Sequence, residues 1–153
     1  MTQIMKKCWG ERKDELRKIL AERTGLNCCD YETLVKLVFE TVYNGYVNDA
    51  YIVDLEKITT IDNGDYQGIL LFVIPFHTYQ PRAHEYIMTH IDYGSCSGCD
   101  ALQAAQAWFD DDSKLTEQQI IDFMAICKDI VSNAIKPYNY GWREDQGWLP
   151  AEE

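Results

Sequence analysis

The chain has 153 residues, of which 46% are hydrophobic and 25% charged, which is the composition of a globular domain rather than of a disordered segment. Its formal net charge of −11, from 14 basic and 25 acidic side chains, disfavours binding to a nucleic-acid backbone, which depends on Lys and Arg. No apolar run approaches the ~20 residues of a membrane span and the amino terminus lacks a secretory signal, so we expect one soluble domain over residues 1–153, cytoplasmic, with its cysteines reduced.

The first third of the chain predicts two helices. Over residues 7–24, apolar side chains recur at the three- and four-residue spacing of a helix, and Gly25 suits the left-handed position that follows a helix end. Asp30 is a suitable N-cap for the second helix, and Asn44 and Gly45 end it. The apolar face of that helix consists of Leu34, Val35, Val38 and Val42.

The middle of the chain predicts three antiparallel strands. Apolar and polar residues alternate from Tyr51 to Glu56, a pattern typical of an edge strand. Asn63 and Gly64 predict a hairpin with a type I′ turn, in which both residues have positive φ. Residues 69–74 are apolar on both faces and predict a central strand, and residues 84–92 predict the third strand.

The last third predicts two more helices and an irregular end. Asp100 and Gln103 have the spacing of a capping box and open a helix to Phe109, which the three aspartates at 110–112 interrupt. Thr116 and Gln119 cap a long helix that Pro137 stops. Residues 138–150 predict an irregular strap, with a frayed end at 151–153. The predicted fold class is α+β, a three-stranded antiparallel meander packed against about four helices.

The main candidate site is the segment from residue 92 to residue 100, which reads DYGSCSGCD. It leaves the third predicted strand, makes a tight turn of small residues and enters a helix. One interpretation is an anion-binding turn, because free N–H groups at a helix start attract phosphate. The candidate ligand-binding residues are Gly94, Ser95, Cys96, Ser97, Gly98 and Cys99.

Three other interpretations concern the thiols of this turn. A Cys-x-x-Cys at a helix start stabilises a thiolate and indicates redox chemistry, although no further βαβ unit follows it as in thioredoxin-like folds. Cys96 and Cys99 also have chelating spacing for zinc, with His90 as a candidate third ligand and Cys28 and Cys29 as more distant candidates. We expect no cofactor, and zinc is the one candidate. The last interpretation, which the sequence favours, is structural: small residues and buried thiols let a strand turn directly into a packed helix.

A second candidate site is the loop after the central strand. Tyr79, Gln80 and Arg82 combine an aromatic ring with an arginine, a pairing enriched at protein interfaces, although a plain crossover is the alternative. No Ser/His/Asp order, phosphate-binding glycine loop or HExxH motif occurs, so the sequence makes no case for an enzyme.

Four segments in about the last two thirds of the chain carry a family resemblance: residues 65–68 (DYQG), 74–81 (IPFHTYQP), 92–103 (DYGSCSGCDALQ) and 135–143 (IKPYNYGWR). In these segments the chain resembles a family of small proteins encoded by phages and prophages of Gram-positive bacteria. The resemblance implies a phage-derived protein that acts inside the host cell, and it implies no catalytic or binding residue.

Two classes of function are consistent with these observations. The first is a non-catalytic interaction protein that acts on a host protein, favoured by small size, acidity and the lack of a catalytic constellation. The second is a module built on residues 92–100 that binds phosphate, a nucleotide or zinc. A homodimer is the default oligomeric state, because the predicted edge strand needs protection.

Overall fold

A computed structural model describes residues 1–106 and 113–136 of the chain. Within them the helices are α1 (Gln3–Glu22), α2 (Tyr31–Val38), α3 (Ala101–Ala105) and α4 (Glu117–Ser132). The strands are β1 (Thr59–Asp62), β2 (Gly68–Pro75) and β3 (Tyr86–Tyr93), and they form one antiparallel sheet in the order β1-β2-β3. The predicted α+β class and meander are therefore confirmed. The predicted interruption at 110–112, the strap at 138–150 and the end at 151–153 lie outside the described residues.

Side-chain caps determine where three of the helices begin. The Thr2 hydroxyl accepts a hydrogen bond from the Met5 N–H at 3.3 Å, so α1 begins at Gln3 and the predicted start at residue 7 is too late. Asp30 caps α2 as predicted, accepting from the Thr33 N–H at 2.8 Å. Thr116 and Gln119 form the predicted capping box at the start of α4.

The two amino-terminal helices end differently from one another. Helix α1 ends at Glu22 because Arg23 is extended, and Gly25 has the expected left-handed conformation, with φ of 84°, a little further along. Helix α2 continues directly into a π-helix, Phe39–Asn44, and the predicted apolar face over both segments is buried. Gly45 follows that segment, as expected.

The predicted edge strand over residues 51–56 is wrong. Asn48 and Asp54 each accept a hydrogen bond from a backbone N–H two residues later, and these contacts nucleate 3-10 turns at Asp49–Tyr51 and Leu55–Lys57. Between the turns, Val53 makes a single bridge to Phe76. The edge strand is β1 instead, which begins at Thr59.

The Asn63–Gly64 hairpin exists, but its predicted type I′ turn is wrong. Neither residue has positive φ. The Asp62 carboxylate accepts from the Gly64 N–H at 3.0 Å, and the Asn63 side chain accepts from the Ile69 N–H at 2.7 Å. These side-chain contacts close a longer loop between Asp62 and Gly68.

Three further predicted boundaries differ by a few residues. Strand β3 begins at Tyr86 rather than at residue 84, because a turn closes from Arg82 to Glu85. Helix α3 ends at Ala105, because the Gln106 side chain donates to backbone carbonyls of the α1–α2 connection. Helix α4 ends at Ser132, before the predicted stop at 137, and the chain then pairs Ile135 with Met88.

The hydrophobic core lies between the helices and one face of the sheet, here called the inner face. Helix α4 contacts β3 there, where the buried Thr89 hydroxyl donates to the Ile130 carbonyl at 2.6 Å. Core residues from both layers include Leu16, Leu20, Leu34, Val38, Phe72, Ile74, Ile87 and Phe123. Among the described helices, none combines the length and apolar character needed to cross a membrane.

Candidate functional site

The predicted path from strand to turn to helix is present. Strand β3 ends at Tyr93, Gly94 is buried, residues 95–99 form an exposed turn, and α3 follows its N-cap Asp100. The six candidate ligand-binding residues, Gly94, Ser95, Cys96, Ser97, Gly98 and Cys99, therefore lie together in one bend.

Asp100 anchors the helical end of this bend. Its side chain is buried, with the residue only 5% exposed. The carboxylate accepts hydrogen bonds from the Tyr31 hydroxyl at 2.8 Å, the Gly94 N–H at 2.9 Å and the Gln103 N–H at 3.0 Å. The Tyr31 hydroxyl in turn accepts from the Leu102 N–H at 3.1 Å. One buried carboxylate thus joins the end of β3, the start of α2 and the start of α3.

The hydroxyl of Tyr31 keeps its proton in this network. Burial, reinforced by the Asp100 carboxylate, raises the pKa of Tyr31 above its usual range. The hydroxyl therefore acts as a donor to Asp100 and an acceptor from Leu102 at neutral pH.

Gly94 is required by close packing within the bend. A Cβ atom added there would lie 2.5 Å from the Cys99 carbonyl oxygen and 2.6 Å from the Cys99 Sγ. Real Cβ atoms do not approach other atoms so closely, so only glycine fits without displacing Cys99. At Gly98 the nearest atom to such a Cβ would be the Cys96 Sγ at 3.8 Å, which is an ordinary contact.

The two thiols of the bend face one another and are exposed to solvent. Their Sγ atoms lie 3.2 Å apart, and the Cys99 Sγ also accepts from the Cys96 N–H at 3.3 Å. Hydrogen bonds from the Cys96 thiol, the Cys96 N–H and the Ser95 hydroxyl lower the pKa of Cys99. The expectation of buried thiols is therefore wrong, because the tight bend turns both side chains outwards.

The helix-start donors of the predicted anion site have internal partners. The Leu102 and Gln103 N–H groups bond to Tyr31 and Asp100, and the Gly94 N–H bonds to Asp100. The position that a phosphate would take at this helix start is thus held by a protein carboxylate. Phosphate binding by these six residues stays a prediction, with the remaining donors on the exposed part of the turn.

The candidate zinc ligands are only partly brought together. Cys96 and Cys99 are adjacent, but His90 is an exposed residue of β3, three residues before the strand ends. Cys28 is exposed in the α1–α2 connection, and burial raises the pKa of the neighbouring Cys29 to about 11. Within residues 1–106 and 113–136, no three His, Cys, Asp or Glu side chains gather where they could hold a metal ion.

A cleft of about 420 Å³ opens beside the bend, on the inner side of the sheet. Its lining joins β1, β2, the start of α2 and the bend, and it comprises Cys29, Asp30, Tyr31, Glu32, Thr60, Asp62, Leu70, Phe72, Tyr93, Gly94, Asp100, Leu102, Gln103 and Gln106. Hydrogen bonds from Thr33 lower the pKa of Asp30, and the Tyr93 hydroxyl lowers that of Asp62. Both carboxylates are therefore ionised at neutral pH.

The candidate interface loop is exposed, as expected, and lies far from the bend. Tyr79 is 95% exposed, and Gln80 and Arg82 are also exposed. The loop precedes β3 and the bend follows it, so eight residues at ~3.3 Å each separate the two sites by roughly 26 Å. The two candidate sites cannot share one small ligand.

An apolar surface on the sheet is the main feature that the sequence did not reveal. Strand pairing places four rows of side chains on the face opposite α4. Besides the Pro75–Tyr86 pair at one end, three rows form the surface that we call the outer face. The rows are Thr59–Val73–Met88–Ile135, Ile61–Leu71–His90, and Ile69–Asp92. Each of these residues is either half-buried or exposed. Ile61 is 48% exposed and Ile135 is 52% exposed.

Two of these features could not be read from local sequence. Tyr31 and Asp100 are 69 positions apart, and nothing near either residue indicates their contact. The sequence does not reveal the outer face because its rows depend on the position of the edge strand. The pattern predicts that strand at residues 51–56, whereas β1 spans Thr59–Asp62. The alternation of Thr59 and Ile61 with Thr60 and Asp62 was the available signal.

Comparison with known proteins finds no family model, no curated protein and no solved structure that matches this chain. The resemblance to phage and prophage proteins therefore stays a prediction. We therefore infer function from the geometry of the bend, the cleft and the outer face.

Proposed function

We propose that this protein acts by binding another protein through the outer face of its sheet. The observation that supports the proposal is the apolar surface formed by Ile61, Ile69, Leu71, Val73 and Met88, extended at the edge by Ile135. Contiguous apolar surface on a folded protein is characteristic of interaction sites. Helix α4 contacts the sheet on its inner face and leaves these side chains partly accessible.

Charge favours a basic partner. The outer face carries one acidic side chain, Asp92, and the whole chain has a formal net charge of −11. An acidic protein steers towards a partner whose apolar patch is bordered by Lys and Arg, and it repels a second copy of itself. In the setting that the family resemblance implies, this partner is a basic protein of the bacterial host.

The test compares two isoleucines of similar exposure on different faces. Ile61 lies on the outer face and is 48% exposed, whereas Ile121 lies on α4 and is 53% exposed. Ile61→Lys and Ile121→Lys add the same charge, so a difference in partner capture between them shows on which face the partner binds. Each full-length variant and the wild type would be immobilised and exposed to host lysate fractionated by cation exchange.

We expect the wild type to capture a saturable partner from the basic fraction. Ile61→Lys should reduce the captured amount by at least about tenfold, and Ile121→Lys should leave it unchanged. Equal capture by both variants, or no saturable partner for the wild type, would count against it. Sedimentation velocity of the purified chain is the companion measurement. A dimer that Ile61→Lys dissociates would show that a second copy occupies the outer face, against the proposal of a different partner.

The cleft supports a second candidate function, the binding of a small ligand. Its volume of about 420 Å³ is in the usual range for ligand pockets. Leu70, Phe72 and Leu102 supply apolar contacts, while ionised Asp30 and Asp62 lie among the lining residues. This combination favours a ligand with an apolar body and a positive charge over a phosphate or nucleotide.

A thermal-shift comparison distinguishes these ligand classes. Aromatic amines and nucleotides would each be tested on the full chain, since a ligand at 100-fold its Kd stabilises by about 2.7 kcal/mol. Stabilisation by amines that Leu70→Ala weakens supports the cleft, because Leu70 lines it and is only half-buried. Stabilisation by nucleotides alone would instead support the anion-binding turn, and no shift with either would remove both ligand functions.

A further inference from the structure

The exposed dithiol at residues 96 and 99 has the geometry of a site that can close and open a disulfide. The two Sγ atoms are 3.2 Å apart, so an approach of about 1.2 Å would bring them to disulfide bonding distance. Both side chains are exposed, and a reacting molecule can reach them. Ser97 and Gly98 between them are small and exposed, so they leave the approach open.

The contacts of the two sulfur atoms are unequal. The Cys99 Sγ accepts from the Cys96 N–H at 3.3 Å and lies 3.2 Å from the Cys96 thiol and 3.8 Å from the Ser95 hydroxyl. As a thiol it can also donate to the Cys96 carbonyl at 3.4 Å, so the sulfur has one acceptor and three potential donors around it. Donors around a sulfur stabilise its thiolate, which is the nucleophilic form. The surroundings therefore assign Cys99 as the attacking sulfur and Cys96 as the sulfur that closes the disulfide.

The other cysteines have different surroundings, and all six lie within the described residues. Burial raises the pKa of Cys8 to about 12 and that of Cys29 to about 11, and it also raises the pKa of Cys127. Cys28 is exposed and its thiol donates to the Gly25 carbonyl at 3.2 Å, as the Cys99 thiol can to the Cys96 carbonyl, but among the described residues no group donates to the Cys28 sulfur. Cys99 is thus the cysteine whose surroundings combine exposure with several donors.

The ends of the bend are fixed, which keeps the thiols together. Asp100 holds the Gly94 N–H on one side and caps α3 on the other. Between these anchors the Cys99 N–H donates to the Cys96 carbonyl at 3.0 Å. The chain therefore holds the two sulfurs in contact before any reaction, which lowers the entropic cost of forming a disulfide between them.

We propose that Cys96 and Cys99 form a thiol–disulfide exchange site whose substrates are accessible disulfides. The Cys99 thiolate attacks one sulfur of the substrate, the substrate disulfide breaks, and one substrate thiolate leaves and takes a proton from solvent. Cys96 then loses its proton to solvent and attacks the Cys99 Sγ, which releases the second substrate thiolate. Two electrons pass from the dithiol to the substrate, which ends as two thiols while the protein ends as a disulfide. The proposal does not depend on the outer face.

The test uses the reduced full-length chain with oxidised glutathione as the probe. Trypsin releases residues 83–114 as a peptide whose only cysteines are Cys96 and Cys99, and residues 24–36 as a peptide with Cys28 and Cys29. We expect the first peptide to become lighter by two hydrogen atoms, faster than the second reacts. Cys96→Ser should stop at a glutathione adduct on Cys99. Cys99→Ser should react at least about fivefold more slowly at pH 7, because it removes the sulfur that accepts hydrogen bonds from its neighbours.

A pH profile and a second substrate complete the test. Adduct formation in Cys96→Ser should persist to lower pH than for a free cysteine in solution, because the N–H of residue 96 and the Ser95 hydroxyl still lie against the Cys99 sulfur and serine keeps a hydroxyl donor at position 96. Reduction of insulin as well as glutathione would identify protein disulfides as substrates, and reaction with glutathione alone would restrict them to small ones. Equal rates for the two serine variants, no internal disulfide in the wild type, or zinc bound stoichiometrically to unreactive thiols would overturn the proposal.

Discussion

The hydroxyl group of Tyr31 links α2 to the start of α3 and, through the buried Asp100 carboxylate, to the end of β3. It donates to Asp100 and accepts from the Leu102 N–H, and Asp100 also holds the Gly94 N–H. The position of the dithiol bend therefore depends on a residue far away in sequence. Losing the hydroxyl would leave a buried acceptor and a buried donor with fewer partners.

Tyr31→Phe should lower the free energy of unfolding by about 1–3 kcal/mol, the cost of leaving buried polar groups unsatisfied. Urea unfolding followed by circular dichroism measures this difference. Tyr66→Phe is the control, because Tyr66 is exposed and should show almost no change. A Tyr31→Phe variant as stable as Tyr66→Phe would show that the network contributes little.

Gly94 and Gly98 form a matched pair within the same bend. Gly94→Ala should cost about 1–3 kcal/mol, because its Cβ would overlap the Cys99 carbonyl oxygen and sulfur. Gly98→Ala should be neutral or slightly stabilising, because its Cβ has room and its φ is not positive. Thermal unfolding measures both. Equal destabilisation by the two alanines would argue against the close packing at Gly94.

At the scale of single elements, side-chain caps explain both what the sequence predicts and what it does not. Asp30, Asp100 and Thr116 each begin a helix where their local pattern indicates. Asn48 and Asp54 are caps of the same chemical kind, but Asn48 comes just before, and Asp54 lies inside, an alternating pattern that resembles a strand. Short-range hydrogen bonding overrides the alternation there, and periodicity alone cannot show this.

The capping box of α4 gives a prediction at this scale. Thr116→Ala removes the acceptor for the Gln119 N–H, which lies 3.2 Å away, and should cost about 1 kcal/mol. Thr78→Ala is the control, since Thr78 is exposed in the loop after β2 and caps no helix. Chemical denaturation compares the two variants. A loss in Thr116→Ala no larger than in Thr78→Ala would show that α4 is held by packing alone.

For the whole molecule, the sequence predicts the fold class and the order of strands better than it predicts the sites. The apolar run at 69–74 and the strand before the Cys-x-x-Cys are local signals, and both appear where expected. The cleft, the Tyr31–Asp100 contact and the outer face arise from segments that are distant in sequence. Such surfaces are set by register and packing, which a single sequence does not display.

The charge of the whole molecule bears on the proposed interaction as well. At a net charge of −11, association with a basic partner should weaken as salt screens the attraction, while apolar contacts on the outer face persist. We therefore expect electrostatic attraction and apolar contacts both to hold the partner, with the apolar rows of the outer face determining where it binds.

Site-specific photo-crosslinking tests this central claim most directly. A photoreactive phenylalanine analogue would replace Ile61 on the outer face or Ile121 on α4, two positions of similar exposure. In host lysate, the account predicts one discrete cross-linked protein from position 61 and none from position 121. The same product from both positions, or a product from position 121 alone, would contradict it.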